Sequence, residues 1–292
     1  MCRRFKVRRS DVETVAKHFA LPGDGTQEVL RAAPGMVLPV VHRRGKGAAF
    51  CELAKWGVST ETRGKPVQSP ECPVESTTQN PQWSHAFGTW RCLVPCGGYY
   101  EWFRDRAKVW HPFLVSERSA QPLAIAGVCM ANPDDAGQYR NEFAVVTAPA
   151  GAAVEWMHIR QPVFVPSSRW RSWLNPSPSS RDFLAREFVP YSQSLPLKIA
   201  PVCRRVNYPR TKLTPEDLAA RPWWQPEMLR ILQMLHRQRM ATAELAQALA
   251  LTVEEIAATL GLLEDMQLVW RDPIPWRNAD PAEQQHWSLN RY

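Results

Sequence analysis

The sequence predicts a mixed helix-and-strand protein in two parts, a sheet-rich part over residues 1–220 and a small helical part over 221–292. Three observations predict it. Short runs of β-branched and aromatic residues recur through the first part, at Val37–His42, Phe50–Trp56, Trp90–Cys96, Leu123–Met130 and Phe143–Thr147. Beyond Pro222-Trp223-Trp224 the apolar residues switch to helical spacing. Charge divides at the same place, with 7 Lys+Arg against 9 Asp+Glu in 221–292 and 29 against 19 before it. A basic partner surface therefore belongs to the first part. Nucleic acid is the first candidate for it, and a merely solvated basic face is the alternative.

A chain of 292 residues with 45% hydrophobic content buries a sizeable core. No apolar run approaches the roughly 18 residues of a membrane span. No apolar stretch follows the basic start Met1-Cys2-Arg3-Arg4-Phe5-Lys6, so neither a signal peptide nor a membrane partner is expected, and the chain reads as cytoplasmic. The 7 cysteines lack framework spacing and read as reduced thiols. Cys92 and Cys96 have no second pair near them, so buried thiols are expected there rather than zinc. No metal and no cofactor are expected.

The chain opens with the residue of most chemical interest. Cysteine is small enough for the initiator methionine to be removed, which leaves Cys2 with a free α-amine beside its thiol. An α-amine has a pKa of about 8, so roughly a tenth of it is neutral at pH 7, against less than one part in a thousand for lysine. Only the neutral amine condenses with an aldehyde, and the neighbouring thiol can close on the imine carbon to give a thiazolidine.

Ser10–Ala20 reads as a helix capped by Ser10, with Val12, Val15, Ala16 and Phe19 at helical spacing. A basic hairpin, Arg43-Arg44-Gly45-Lys46-Gly47, joins the strands Val37–His42 and Phe50–Trp56. Residues 59–82 are rich in Thr, Ser, Pro and Gln and read as a long loop. The run Trp90–Cys96 ends in Gly97-Gly98, and Glu101 then stands among Tyr99, Tyr100 and Trp102. Desolvation raises a carboxyl pKa, and a raised carboxyl acts as a general acid near neutral pH. The plainer alternative is a strand-edge glutamate paired with an arginine.

Strands at Phe113–Val115, Leu123–Met130 and Phe143–Thr147 follow. His158 sits before Arg160 and Pro162 at the mouth of the strand Val163–Val165, a place for acid–base work beside a phosphate contact, although a lone histidine is more often structural. Short helices near Ser168–Leu174 and Ser180–Phe188, then a strand Lys198–Val206 containing Arg204, complete the first part.

In the tail, Pro226–Arg237 is amphipathic, with Met228, Leu229, Leu232 and Leu235 on one side. Thr242 caps Ala243–Leu249, and Thr252 caps Val253–Met266 in a capping-box arrangement with Glu255. Leu268–Arg271 and His286–Leu289 read as two strands of a wing. The tail thus resembles a winged-helix domain of the helix-turn-helix class. Its third helix carries Glu254, Glu255, Glu264 and Asp265 and no Lys or Arg. That charge favours a protein partner, or packing on the first part, over duplex DNA.

Residues 2 to about 215 resemble the SRAP family, named for SOS-response-associated peptidases. The resemblance rests on Cys2 with Arg4-Phe5, Ala33-Pro34-Gly35, Trp56-Gly57, Arg91-Cys92 through Gly98-Tyr99-Tyr100-Glu101-Trp102, Thr147-Ala148 and His158-Ile159-Arg160-Gln161-Pro162, in matching order and spacing. It implies an α+β fold around an open, barrel-like sheet, with the winged helix-turn-helix domain as an addition. It further implies an enzyme that traps abasic sites in single-stranded DNA, in the DNA damage response of a bacterial cytoplasm, associated with the nucleoid when bound. In such an enzyme Cys2 forms the thiazolidine crosslink, Glu101 assists sugar ring opening, and His158 serves acid–base steps. Arg3, Arg4, Trp56, Arg160 and Arg204 are the expected DNA contacts.

Three departures stand out. Arg3 replaces the family's glycine, and Arg31 replaces an asparagine before the family's Ala-Pro. An ungapped count from Arg91 sets Glu71 where the family has the asparagine that orients the sugar, and Pro73 where it has a phosphate-gripping arginine. Glu71 is then expected in the site as a second carboxylate beside Glu101, repelling phosphate; a solvent-facing loop position is the alternative. Two further functional readings stand beside the crosslinker: an N-terminal-nucleophile cysteine peptidase, and a non-catalytic DNA-damage adaptor with a worn SRAP surface.

Overall fold

The apolar runs become the walls of a ring. Leu123–Pro133 pairs antiparallel with Arg91–Cys96, Arg91–Cys96 with Val37–Arg43, and Val37–Arg43 with Ala49–Trp56. Ala49–Trp56 meets Tyr139–Pro149 in a short parallel register, Phe143 opposite Trp56, and Tyr139–Pro149 returns to Leu123–Pro133 with Gly127 opposite Val145. The barrel-like sheet expected to be open therefore closes on itself, and closure removes strand edges. Val41, Leu93, Ala126, Val128, Ala144 and Val146 fill the core of this part. Arg91–Cys96 is buried at every position, which is why its sequence does not alternate.

The computed structural model describes residues 4–22, 29–43, 47–62, 65–119, 122–133, 139–175, 184–208, 212–219, 221, 224–272 and 286–290. Two compact units emerge. Unit 1 takes in Met1–Glu101, Leu114–Lys198 and Lys212–Glu216, and unit 2 takes in Trp102–Phe113, Ile199–Thr211 and Asp217–Tyr292. Unit 2 thus gathers two segments from before residue 220 together with the tail.

In unit 1 the strand Phe5–Val7 lies between Val29–Ala32 and the start of Gly98–Arg104, with Phe5 opposite both Ala32 and Tyr99. The first helix spans Arg9–His18 behind Arg8, so its cap lies two residues before the predicted Ser10. Asp11 explains the shift. Its fully buried carboxylate takes the backbone N–H of Arg8 at 2.8 Å and the Arg8 guanidinium at 2.7 Å, so it satisfies the helix start from inside.

The segment 59–82 is not a loop. Val58–Thr62 and Lys65–Ser69 form a hairpin, and Glu71–Pro73 is a strand parallel to Val145–Thr147. Helices Ser76–Gln79 and Pro81–Thr89 follow. The second starts at a proline behind Asn80, whose side chain accepts from the N–H groups of Gln82 and Trp83 at 3.0 and 3.4 Å. The strand predicted at Phe113–Val115 extends over Trp110–Glu117, and that predicted at Lys198–Val206 is Leu197–Pro201 followed by a 3₁₀ turn at Arg204–Asn207. Of the helix predicted at Ser180–Phe188, the described part is a turn at Leu184–Phe188 that continues into Val189–Ser194.

In unit 2 the helices are Pro226–Arg237, Thr242–Leu249 and Val253–Asp265. A three-stranded antiparallel sheet accompanies them, with His286–Leu289 between Met240–Ala241 and Val269–Arg271. Their buried faces carry Ile231, Leu232, Leu245, Ile256, Leu260 and Leu263. The tail also packs on the earlier segments of its unit. Trp224 Nε1 donates to the Ile199 carbonyl at 3.0 Å, its ring stands edge-on to Phe113 at 5.7 Å, and the Arg106 guanidinium lies 5.6 Å over Trp270. Among the described residues no single helix is long and apolar enough to cross a membrane.

Candidate active site

The two glycines at 97 and 98 are set by close approach. A Cβ on Gly97 would lie 2.6 Å from Arg8 Nε and 2.8 Å from Asp11 Oδ2. A Cβ on Gly98 would lie 2.6 Å from the Val115 carbonyl oxygen, at a φ of +148° that side chains rarely adopt. With the backbone drawn in at this point, Gly97 N–H donates to the Lys6 carbonyl at 2.8 Å and Tyr100 N–H to the Arg4 carbonyl at 3.0 Å. The N-terminal strand is thereby pinned alongside the residue before Glu101. Glu101 is 2% exposed, and Tyr99 and Tyr100 are fully buried. Cys2 and Arg3 lie outside the described residues. Arg4, the first described residue, is half-buried.

Trp56 joins this strand to the one bearing Glu71. Its ring stacks on Phe5 at 4.3 Å and 15°, and its Nε1 donates to the Pro70 carbonyl at 2.9 Å. Phe143 stacks on it further out at 6.3 Å. Trp56 is fully buried, so it has no ring surface to offer a DNA base. The expectation of direct contact is corrected to a keystone role. Glu71 follows Pro70 directly, is 7% exposed, and sits in a strand opposite Val145, so the solvent-facing loop alternative does not hold.

The third segment is 158–162. Arg160–Pro162 pairs with Thr147–Pro149, and Val74 N–H donates to the Thr147 carbonyl at 2.8 Å, so the strands after Glu71 and after His158 flank the same Thr147. Arg160 binds Glu75 through both terminal nitrogens at 3.2 and 3.0 Å and donates to the Thr147 carbonyl at 2.7 Å. Burial alone would raise the Glu75 carboxyl, but hydrogen bonds from Arg160 and from the backbone, with the Arg160 charge, hold it below its ordinary range. His158 is half-buried, and its Nδ1 accepts the Arg160 N–H at 3.0 Å. The same Nδ1 also lies 3.2 Å from the Arg160 carbonyl oxygen. Tyr99, two residues before Glu101, touches Phe164 at 6.0 Å, which brings the 158–164 stretch against the Glu101 strand.

Glu101, Glu71, His158 and Arg160 all belong to unit 1, and the contacts above link the segments that carry them. Arg204, expected among the DNA contacts, belongs to unit 2. Sequence reasoning assigned no role to Glu75, Thr147 or Phe5. The signal was present, because Thr147-Ala148 and Arg4-Phe5 recur in the resemblance and Glu75 lies two residues beyond Pro73. Among the described residues no group of three or more His, Cys, Asp or Glu side chains is arranged to hold a metal ion. Burial pushes the Cys72 and Cys96 thiols up, so both stay protonated and unreactive.

Comparison with known proteins identifies relatives of the chain. The chain is similar to the abasic site processing protein YobE of Bacillus subtilis (strain 168), 26% identical over 118 residues that make up 40% of this chain and 54% of that protein. It is also similar to the abasic site processing protein YMR114C of Saccharomyces cerevisiae, 28% identical over 132 residues, 42% and 34% of the two chains. The chain spans about half the length of the bacterial relatives it matches.

Among solved structures, a Bacteroides thetaiotaomicron protein superposes with a TM-score of 0.60 at 14% identity, over 75% of this chain and 100% of the other. A phage-related protein of Bordetella bronchiseptica does so at 0.54 and 23% identity, over 69% and 94%. At such identities these likenesses speak for the fold alone. The family model SOS response associated peptidase (SRAP) matches residues 1–209, most of the sequence, and the chain belongs to that family.

Proposed function

We propose that this protein processes abasic sites in single-stranded DNA by capturing them covalently at Cys2. The observation that carries the reading is the hydrogen bond from Tyr100 N–H to the Arg4 carbonyl, beside the buried Glu101. Cys2 precedes Arg4 by two residues, a length of chain that spans at most ~7 Å. After loss of Met1 the neutral α-amine of Cys2 adds to the aldehyde carbon of the ring-opened sugar, and water leaves to give an imine. The thiol then adds across the C=N bond, its proton passing to nitrogen, and closes the thiazolidine. Glu101 is the acid for ring opening, and His158 relays protons. The abasic-site names of relatives at about this level of identity support the substrate class.

The tail is assigned a winged-helix role on its element order, three helices with a three-stranded sheet. Its acidic third helix favours a protein partner there over duplex DNA. The test is intact mass after mixing the protein with an abasic single strand and, separately, with a peptide ester. A heat-stable DNA adduct that Cys2→Ala abolishes is the expected result. An acyl-enzyme instead would assign the peptidase reading, and no adduct of either kind the adaptor.

A further inference from the structure

Unit 2 holds a cavity of about 190 Å³ lined by His111, Arg204, Arg221 and Met266 among others. A volume of several waters at ~30 Å³ each accommodates a phosphate group. Among the described residues its lining includes two arginines and no Asp or Glu. Two nearby carboxylates are engaged with protein groups. Asp105 is fully buried and takes the Val109 N–H at 2.8 Å and His111 Nε2 at 2.9 Å, and Asp217 takes Arg205 at 3.4 Å.

His111 is 6% exposed, and its other nitrogen, Nδ1, faces the Arg204 guanidinium at 3.4 Å. A guanidinium only donates, so Nδ1 accepts and the ring proton sits on Nε2, shared with Asp105. Asp105 thus fixes the ring, and the ring positions Arg204 at the cavity. The same two segments present exposed rings. Trp110 is 48% exposed with the Arg104 guanidinium 5.1 Å over it, and Tyr208 is 62% exposed. Asn207 Nδ2 donates to the Trp110 carbonyl at 3.2 Å and so joins the two segments.

Proteins that hold single strands combine backbone cations with aromatic rings on which bases stack. We propose that this cavity seats a backbone phosphate of a single nucleic-acid strand, held by Arg204 and Arg221, while Trp110 and Tyr208 stack the adjoining bases. Arg221 and Met266 lie beyond the family-matched residues 1–209, so the C-terminal segment completes a site that the family model does not contain.

The test uses the full chain and a labelled single strand without abasic sites, with binding followed by anisotropy across a salt series. Because this probe cannot crosslink, failure here and failure of the crosslinking reading are distinguishable. Arg204→Ala and Arg221→Ala should each weaken binding about 3- to 10-fold and flatten the slope of log affinity against log salt by roughly 0.7, the value for one phosphate contact on a single strand. Arg221→Lys should keep the slope. His111→Asn, which retains an acceptor for Arg204, should bind better than His111→Leu. Arginine variants that melt like the parent and bind the strand with its affinity and slope would overturn the proposal. Stabilisation by inorganic phosphate through Arg221, with strand binding unchanged in Arg221→Ala, would also overturn it and assign a free-anion site.

Discussion

Arg160 holds its guanidinium on Glu75 and on the Thr147 carbonyl, and so cannot give its full charge to a phosphate while Glu75 is ionised. The sign of the resulting pH effect follows from the depressed Glu75 carboxyl. A folded-state value below the unfolded one contributes stability that is present above the ordinary glutamate range, near pH 4.3, and is lost as pH falls through the folded value. Glu75 is 45% exposed, so solvent screening limits the pair to about 0.2–1 kcal/mol. Glu75→Gln should therefore lower stability by that amount at neutral pH and by nothing in strong acid, as read by urea unfolding at several pH values. The same variant frees Arg160 and should tighten single-strand binding at low salt. Glu71 invites the complementary change. It is buried, and the ungapped count sets it where an asparagine is expected, so an ionised carboxylate there would repel phosphate. Glu71→Asn should speed adduct formation several-fold near neutral pH and flatten its pH dependence. Rates equal to the parent's from acid to neutral would remove Glu71 from the site.

Elements made by local pattern were legible in the sequence, and elements made by distant pairing were not. The strand Arg91–Cys96 and the tail helices declared themselves through apolar run and period. Glu71–Pro73 could not, because 3 residues gain their strand character only from Val145–Thr147 far along the chain. The helix Pro81–Thr89 did leave a signal, Asn80-Pro81, which polar composition obscured. For the candidate site, residue type and neighbours singled out Glu101 and His158, whereas the burial of Trp56 follows from Phe5 and Pro70, contacts that only the fold creates. Backbone approach gives a sharp test here. Gly98→Ala must push on a main-chain oxygen at 2.6 Å and adopt a strained φ, so it should destabilise by about 2 kcal/mol or more in urea unfolding. In the tail, the Thr252 hydroxyl accepts the Glu255 N–H at 3.2 Å and the Glu255 carboxylate accepts the Thr252 N–H at 2.8 Å. Thr252→Ala should cost about 1 kcal/mol by the same measurement and leave adduct formation unchanged.

At the scale of the molecule, the sequence suggested a cut at 220, on composition and charge, whereas backbone proximity gathers Trp102–Phe113 and Ile199–Thr211 with the tail in one unit. The difference has a physical cause. Composition registers where helical spacing begins but not which earlier residues the helical segment covers. Phe113 is fully buried with Trp224 against it, and Ile199 is 2% exposed with its carbonyl taken by Trp224 Nε1. A chain ended at 220 loses that tryptophan and the Trp270 ring under Arg106. Uncovering large apolar side chains forfeits about 1.5–3 kcal/mol each. The shortened chain should therefore melt several degrees below the full one and bind a hydrophobic dye, even though it retains all 209 family-matched residues. A truncated chain with the parent's melting temperature and no dye binding would instead make the tail an independent module.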